Sequence, residues 1–459
     1  MSAAGTAISV AREMAAIVGV EHVREDAAAL ARLAVEEVAP AVAVVPGSAE
    51  EVAAILRFAT SQDLTVVPAG GSTRQGIGGV PERVDVVLET RRLAALEHYD
   101  PGDLTLGAGA GMTLAALEEK LAANQQFLPI QSARAERETL GGLLATAASS
   151  PLRHGYGGLR DYCIGVRFVT GDGRIAKGGG RVVKNVAGYD LMKLLIGSLG
   201  TLGVIIGANF KVFPRLRQSA TFACDFASAE KAVAFRDRLL RSALSPVCLE
   251  LASPHAHEYL RQAPPARDVD HVQPQTPVKL ESAAWRVLVR AAGSDAVLAR
   301  YRRELGSAVS QEMGGDEETA FWRDFLCFED AVLARHRNAM MMNVSLPLSA
   351  VAGALAAAER ALDNNLMPAV VGRFAAGSLE IGFLPLLVDP PSAMQYVAAV
   401  SAFRGALPRD ATAVVTQCPR EAKLRFDVWG PSPTDRESMK KVKRALDPAG
   451  VLNRGRFVV

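Results

Sequence analysis

A glycine-rich segment directly after an apolar strand is the feature that most limits how this chain can fold. Residues 68–79 read PAGGSTRQGIGG, and they close a strand–helix–strand pattern that begins with AVAVV at residue 41. This pattern has the size of a βαβ unit, about 30 residues. A run of glycines lets backbone N–H groups approach an anion closely. The segment lacks the Gly-Lys-Ser/Thr of a Walker loop, and no clear helix follows it, so on its own it predicts either an anion-binding loop or an ordinary hairpin.

Composition narrows the class of protein. The 459 residues are 49% hydrophobic and 22% charged, with a net charge of +2, which predicts a globular chain without a nucleic-acid-binding patch. The five cysteines show no CxxC spacing, so we expect no zinc or iron–sulfur site within this chain. The first residues lack the pattern of a signal peptide. The uncharged stretch 194–210 is interrupted by glycines and predicts a helix end, a turn and a buried strand rather than a membrane span. We therefore expect a cytoplasmic protein.

The order of the predicted elements indicates the domain organisation. Residues 1–38 predict a helical segment, with one helix over about 8–38, and residues 39–217 contain short strands, turns and many glycines. Residues 218–426 alternate β-like runs such as TFACDF and SLEIGFLP with Ala-rich helices. This alternation predicts an α+β domain, a ferredoxin-like sheet with helices on one face. A polar, proline-containing insert at 261–279 predicts a long surface loop.

Two further segments follow the glycine-rich loop. One combines TLGGLLAT (139–146) with RHGYGGLRD (153–161), and the other is VKNVAGYDLMKLLIGSLGTLGV (183–204). In this order and spacing the three segments resemble the FAD-binding domain of the vanillyl-alcohol oxidase superfamily, the PCMH type. The likeness is densest to the FAD-binding subunits of bacterial glycolate oxidase. The C-terminal DPAGVLNRGR is similar to that family's closing motif DP-x-G-x-LNPGR, with Arg454 in place of a proline.

The resemblance implies a fold of the α+β class. A two-subdomain PCMH-type FAD-binding domain would occupy residues 39–217, and an α+β cap domain would occupy residues 218–426. The segment 427–459 would return to the FAD-binding domain. The resemblance is dense over about residues 40–217 and 427–457 and loose between them.

The resemblance also implies a set of FAD-binding residues, because a long dianionic cofactor needs many backbone donors at short range and only small residues allow that approach. The residues that would wrap the pyrophosphate are Gly70, Gly71, Ser72, Thr73 and Gly76. Those that would lie near the adenosine half or line the dinucleotide are Pro129, Thr139, Gly141, Gly142, Ala145 and Thr146. Those that would complete the pocket are Gly157, Asp161 and Ile205. Some members of the superfamily tether FAD through a histidine in the first loop; since this loop has none, we expect non-covalent FAD. The role of His154 stays open between packing, a place near the flavin and a covalent link.

The implied reaction is oxidation of a small 2-hydroxy acid by hydride transfer to flavin N5, with a cation to bind the carboxylate and a base or metal for the hydroxyl. Arg373 and Arg153 are the candidate carboxylate anchors, and Tyr189 and Asn185 are candidates to face the isoalloxazine ring. Surface ion pairing for the arginines and packing for Tyr189 stay open as alternatives. Catalytic relatives often carry a metal segment similar to H-x-G-D-G-N-x-H. The corresponding residues 372–380 contain no histidine, so we expect no metal site.

Three functions remain open at this point. The first is the FAD-binding subunit of a glycolate-oxidase-like complex, with a second flavoprotein subunit and an iron–sulfur subunit as partners, and with peripheral membrane association only through them. The second is a self-sufficient, metal-free FAD-linked dehydrogenase or oxidase of another alcohol or hydroxy acid. The third is a structural subunit that binds FAD without turnover. The missing histidines, and Leu199 where catalytic relatives tend to have glutamate, favour the first.

Overall fold

The structure is a computed structural model that describes residues 3–182, 188–261, 284–386 and 391–459. Its strands form a four-stranded, a five-stranded, a two-stranded and an eight-stranded sheet. The predicted insert lies almost entirely outside the described residues, and so does Asn185.

The first part of the chain builds the four-stranded sheet. Its strands are β1 (Val23–Arg24), β2 (Val42–Val44), β3 (Val66–Ala69) and β4 (Val86–Glu89), in the order β1–β2–β4–β3. The helices of this part are α1 (Ala3–Val18), α2 (Ala27–Ala31) and α3 (Ala49–Ser61). β2, β4 and β3 run parallel to one another, so α3 connects two parallel strands as the βαβ pattern predicts.

The predicted continuous helix over residues 8–38 is wrong. α1 ends at Val18, and Gly19 has φ +89°, a backbone conformation that an α-helix cannot contain. A second helix then starts behind Asp26, whose side chain accepts a hydrogen bond from the backbone N–H of Ala29 at 2.8 Å. The Ala-rich composition hides these two signals, because alanine favours helix on both sides of the break.

The second part of the chain builds the five-stranded antiparallel sheet, in the order β5–β6–β10–β8–β9. The strands of this part are β5 (Leu96–Asp100), β6 (Thr105–Gly109), β7 (Gln126–Phe127), β8 (Cys163–Val169), β9 (Ile175–Gly179), β10 (Val204–Lys211) and β11 (Phe213–Pro214). The helices are α4 (Leu114–Ala122), α5 (Leu140–Ala145), α6 (Arg153–Tyr156), α7 (Leu159–Tyr162) and α8 (Leu191–Leu195). The prediction of a helix end, a turn and a buried strand over residues 194–210 is confirmed by α8 and β10.

The third part builds the eight-stranded antiparallel sheet, in the order β15–β12–β14–β13–β17–β18–β16–β19. Its strands are β12 (Ser219–Phe226), β13 (Cys248–Ala252), β14 (Trp285–Ala292), β15 (Gln311–Gly314), β16 (Met340–Ser345), β17 (Leu366–Arg373), β18 (Ser378–Pro385) and β19 (Thr412–Gln417). The helices that follow in chain order are α9 (Ala229–Leu240), α10 (Pro254–Arg261), α11 (Asp295–Leu305), α12 (Gly315–Leu326), α13 (Phe328–Arg335), α14 (Val351–Glu359), α15 (Ala393–Gly405), α16 (Arg420–Lys423) and α17 (Arg436–Leu446).

Helices cover both faces of this sheet, so the prediction of helices on one face is wrong. On one face the strand residues Phe222 and Val289 pack in one cluster with Phe235 of α9. On the other face Leu288 packs in a second cluster with Trp322 of α12. Strands that are buried on both faces are apolar at successive positions, as β14 and β17 are, and this continuity is the sequence signal for two covered faces.

The last residues of the chain return to the first sheet. The N–H of Val66 in β3 donates to the carbonyl of Val451 at 2.8 Å, and Val66 pairs with Leu452 as a parallel bridge. The carboxylate of Asp447 accepts hydrogen bonds from the backbone N–H groups of Val451 and Leu452, at 3.0 and 2.9 Å. This places the segment after α17 beside the first residue of β3. The domain boundaries given above stay predictions.

Candidate active site

The glycine-rich loop leaves the end of β3 and packs tightly against residues 137–139. A Cβ atom on Gly70 would lie 1.9 Å from Oγ1 of Thr139, and one on Gly71 would lie 1.9 Å from the backbone oxygen of Arg137. Both contacts are far below a van der Waals distance, so the backbone path requires glycine at both positions. Ser72 adopts φ +54°, which turns the loop sharply.

Helix α5 begins beside this loop. The hydroxyl of Thr139 accepts a hydrogen bond from the N–H of Gly142 at 3.3 Å and caps the helix. At its end, the hydroxyl of Thr146 donates to the carbonyl of Gly142 at 2.8 Å. The start of α5 and the glycine-rich loop thus present backbone groups and small side chains to the same space.

That space is a cavity that we call the cofactor cavity. The predicted residues that line it are Gly70, Gly71, Ser72, Thr73, Thr139, Gly142, Ala145 and Thr146. Among the further lining residues, Leu199, Asn453 and Arg456 lie outside the two predicted segments, and sequence reasoning missed them. Two nitrogens of Arg456 are buried without a hydrogen-bond partner in the described structure. A loop that requires glycine at its closest contacts, beside a buried cation with unused hydrogen-bond donors, fits the pyrophosphate of a dinucleotide.

The other predicted cofactor residues do not line this cavity. Gly76 packs against Gln417, since a Cβ there would lie 1.9 Å from Nε2 of that side chain. Gly141 packs against Ala110, and Ile205 is buried in the core of the second part. The carbonyl of Pro129 accepts a hydrogen bond from the Tyr162 hydroxyl at 3.4 Å. The carboxylate of Asp161 accepts one from the N–H of Gly158 at 2.7 Å, next to Gly157 with φ +82°.

A second cavity of about 270 Å³, the central cavity, lies between the glycine-rich loop and the eight-stranded sheet. The side chains that alternate to one face of the sheet line it, among them Glu250, Asn343, Arg373 and Glu380. Glu250 on β13 stands opposite Arg373 on β17, and Glu380 on β18 stands opposite Asn343 on β16. The strands β13, β17, β18 and β16 are neighbours in the sheet, but Arg373 stands opposite Ser378 on β18, and Glu380 stands opposite Val371 on β17. The four polar side chains therefore form a staggered row, with a step of two residues between Arg373 and Glu380.

Arg373 lies between two carboxyl groups in this row. Its Nη2 donates to the carbonyl of Ser149 at 3.3 Å, while its Nε is buried without a partner in the described structure. Burial raises the pKa of Glu250 to about 8, and the positive charge of Arg373 opposes that rise. Burial, and next the negative charge of Glu329, raise the pKa of Glu380 to about 7, again against Arg373. Both carboxyl groups therefore titrate close to neutral pH.

Two other arginines of the central cavity are engaged in ion pairs. Nε of Arg74 lies 2.9 Å from the carboxylate of Glu138. Arg134 pairs with Asp330 on α13 and donates to the carbonyl of Thr73 at 2.7 Å. These pairs tie the glycine-rich loop and α13 to the segment before α5, so both edges of the central cavity are held in place.

Only some of the predicted catalytic residues lie together in one cavity. Arg373 and Arg153 line the central cavity, as a carboxylate anchor must. Tyr189 is 89% exposed and lines neither cavity, so the structure does not support its predicted place at the flavin. His154 is half-buried, burial lowers its pKa, and it lines neither cavity.

The described residues contain neither a candidate metal centre nor a candidate membrane span. Nowhere in them do three or more His, Cys, Asp or Glu side chains come together in a group that could hold a metal ion. Nor does any helix in the described ranges have the length and apolar character to cross a membrane.

Sequence reasoning missed Glu250, Glu380 and Asn343, although a signal was present. Each stands alone among apolar neighbours, in CLELA, SLEIGF and MMMNV, and a polar side chain within an apolar strand is a candidate for a partner or a function. The signal does not say which strands are neighbours, so the row could not be assembled from it.

Two family models match the chain. The FAD binding domain matches residues 40–179, and the C-terminal domain of FAD linked oxidases matches residues 215–385 and 431–457. The chain carries both domains of an FAD-linked oxidase. FAD is therefore its cofactor, and the cofactor cavity lies within the part that the first model matches, closed by residues of the second.

Several curated proteins are similar to parts of this chain. A D-lactate dehydrogenase of Archaeoglobus fulgidus is 36% identical over 47% of this chain and 48% of its own length. A D-2-hydroxyglutarate dehydrogenase of Xanthomonas citri pv. viticola is 37% identical over 38% of this chain and 37% of its own length. Glycolate oxidase subunit GlcE of Escherichia coli is 37% identical over 34% of this chain and 45% of its own length. The chain thus spans less than half the length of these relatives.

Solved structures share the fold over nearly the whole chain. p-Cresol methylhydroxylase has a TM-score of 0.76 at 17% identity and covers 98% of this chain and 96% of its own. The 4-ethylphenol oxidase of Gulosibacter chungangensis has a TM-score of 0.73 at 15% identity and covers 99% and 97%. These likenesses show the fold alone, and they confirm the predicted α+β class with a PCMH-type FAD-binding domain.

Proposed function

We propose that this chain is an FAD-dependent oxidoreductase that oxidises a small 2-hydroxy acid in the central cavity. The observation that carries the proposal is Arg373, a cation between Glu250 and Glu380 on the eight-stranded sheet, across the central cavity from the glycine-rich loop. A guanidinium binds a carboxylate through two parallel hydrogen bonds, and a carboxyl group near neutral pKa can accept a hydroxyl proton. The D-lactate and D-2-hydroxyglutarate dehydrogenases among the relatives support this class of substrate.

Different residues of the chain would bind FAD, bind the substrate and accept its proton. The glycine-rich loop and the start of α5 would hold FAD, which supplies a hydride acceptor when bound. Arg373 would bind the substrate carboxylate, and Glu380 would take the hydroxyl proton. Glu250 is 1% exposed and, with a pKa of about 8, keeps its proton at neutral pH, so Glu380 suits the role of base better. The ion pair of Arg134 with Asp330 holds α13 at the edge of the cavity.

The finer proposal is that this chain is the FAD-binding subunit of a glycolate-oxidase-like complex and passes electrons to an iron–sulfur partner, beside a second flavoprotein. Its support is the similarity to subunit GlcE of E. coli and, at 26% identity over 46% of this chain, to subunit GlcD of Bacillus subtilis. In that arrangement the protein works in the cytoplasm and reaches a membrane surface only through its partners. The self-sufficient dehydrogenase stays the second candidate, because Arg373 and Glu380 supply an anchor and a base within one chain.

Anaerobic reduction of the flavin tests the proposal. The purified chain is mixed with glycolate, each lactate enantiomer or 2-hydroxyglutarate, and the yellow absorbance is followed. We expect one acid to bleach the wild type and Arg373→Met to bleach roughly a hundredfold less efficiently, because the bidentate anchor is lost. Arg323→Met, which removes an exposed arginine paired with its neighbour Asp324, is the control. Flavin that stays oxidised with every acid, even after second-flavoprotein and iron–sulfur subunits are added, contradicts the proposal.

A further inference from the structure

Arg456 is a buried cation with unused hydrogen-bond donors. It is 2% exposed and lines the cofactor cavity beside the glycine-rich loop. Its Nη2 donates to the carbonyls of Gln75, at 2.6 Å, and Ile77. Its Nε and Nη1 have no hydrogen-bond partner among the described residues. Leaving such donors unpaired out of water is costly, so the site as folded lacks an acceptor.

The charges around Arg456 do not balance. Lys423 is buried nearby, and its Nζ lies 2.6 Å from the carboxylate of Glu36 and 2.5 Å from the carbonyl of Gly76. The same Glu36 is the charge that supports Arg456 in its protonated form. Two buried cations therefore share one carboxylate. The neighbouring cavity residue Leu199 supplies no negative charge. Burial lowers the pKa of Arg456 to about 10, and it also lowers the pKa of Lys423.

The position of Arg456 is fixed by its own backbone. Its carbonyl accepts hydrogen bonds from the N–H of Gly79 at 3.0 Å and from the indole N–H of Trp429 at 3.1 Å. Three residues earlier, the side-chain amide of Asn453 donates to the carbonyl of Leu199, and its own buried oxygen has no partner within the described part of the chain. The C-terminal segment thus holds a preorganised cation against the loop before any ligand arrives.

We infer that Arg456 is a direct ligand of the FAD pyrophosphate, which supplies the missing acceptor and the missing negative charge. Nε and Nη1 donate to phosphate oxygens, while Nη2 keeps the loop carbonyls in place. The C-terminal segment then forms one side of the cofactor cavity, and the negative charge of the pyrophosphate offsets the excess positive charge of Arg456 and Lys423 over Glu36. The inference rests on FAD binding in this cavity and is independent of which substrate is oxidised.

Binding of two flavins to the flavin-free protein tests the inference. FAD carries the pyrophosphate and riboflavin does not, and quenching of flavin fluorescence gives both dissociation constants. For Arg456→Met we expect the dissociation constant of FAD to rise roughly tenfold to a hundredfold and that of riboflavin to change little. The matched control is Arg454→Met, two residues away, where the guanidinium pairs with the exposed Asp63 and lies outside both cavities.

Each outcome of this experiment either supports or overturns the inference that Arg456 binds the pyrophosphate. An unchanged FAD constant in Arg456→Met overturns the inference, and so does an equal loss for riboflavin, which would mean that Arg456 only shapes the wall. If Arg456→Met does not fold, Arg456→Lys replaces it: the shorter point charge should bind FAD more weakly than wild type with riboflavin unaffected, and equal FAD binding overturns the inference. Neither readout requires substrate oxidation, so a failed activity assay does not affect it.

Discussion

The two walls that face each other across the central cavity are built in different ways. The FAD-binding wall consists of the glycine-rich loop and the start of α5, and it offers backbone N–H groups and small side chains. The sheet wall offers long charged side chains, Arg373 between Glu250 and Glu380. A cofactor that is long and invariant suits a wall of backbone, whereas a substrate that differs between relatives suits a wall of side chains that can be exchanged without changing the fold.

The difference predicts how each wall responds to substitution. The FAD-binding wall is limited by space, because the loop has no room for a Cβ at its closest contacts. The sheet wall is limited by charge, because each buried carboxyl group depends on Arg373 and on its own proton. On the FAD-binding wall, one added methyl group should therefore disrupt the structure severely. On the sheet wall, replacing a charged side chain by an uncharged one of the same shape should have the larger effect.

The largest effect is expected for Gly71→Ala. The added Cβ would lie 1.9 Å from the backbone oxygen of Arg137, which cannot move without displacing the residues before α5. We expect this variant to be purified without flavin, with its absorbance near 450 nm lost and no substrate oxidation. Gly353→Ala is the control, since nothing lies within 4 Å of a Cβ at that helical position. There alanine should raise the stability of the protein slightly.

The next largest effect is expected for Glu380→Gln. The proposed base must lose its proton to act, so kcat/KM of the wild type should rise with pH through about 7, the pKa to which burial and Glu329 raise this group. The amide cannot accept the proton, so the variant should lose roughly 10²- to 10⁴-fold in kcat/KM and should show no such rise. Its FAD content should equal that of the wild type, because Glu380 lies on the sheet wall.

The variant Glu329→Gln gives a second test of Glu380 as the base, through the same pH dependence of kcat/KM. Its negative charge raises the pKa of Glu380, so its removal should move the rise of kcat/KM to lower pH while activity at high pH stays close to wild type. A profile of Glu329→Gln that coincides with the wild type, or a wild-type rise retained in Glu380→Gln, would assign the base to another residue.

The FAD-binding wall could be predicted from the sequence because its geometry depends on residues that are adjacent in the chain. The wall is built from two short segments, Gly70 to Thr73 and Thr139 to Thr146. A glycine that lies against backbone cannot be replaced by another residue, so the sequence itself indicates where the chain requires glycine. Gly76 and Gly141 show where that reasoning fails. Both also lack space for a Cβ, against Gln417 and Ala110, yet neither lines the cofactor cavity, so a lack of space alone does not identify a cofactor contact.

The sheet wall could not be predicted in the same way. Glu250, Arg373 and Glu380 meet only because β13, β17 and β18 are neighbours in the eight-stranded sheet, and strand order between distant segments is not encoded locally. Arg373 was chosen as a carboxylate anchor by its residue type alone, without its two carboxyl partners. Arg456 was missed because only the return of the chain end to β3 places it in the cofactor cavity.

The smallest effect, on stability rather than activity, is expected for Glu250→Gln. Burial raises the pKa of Glu250 from the ordinary 4.5 to about 8 in the folded protein. The unfolded chain ionises at the ordinary value, so this group favours the folded state fully below pH 4.5, and that contribution is lost as the pH rises towards 8. Glutamine has no proton to lose, so between pH 5 and 8 the variant should gain about 1–3 kcal/mol in free energy of unfolding relative to wild type. Urea unfolding at several pH values measures this, with the exposed Glu359→Gln as control. Parallel pH profiles of Glu250→Gln and wild type would show that Glu250 is ionised in the folded protein, and it would then rival Glu380 as the base.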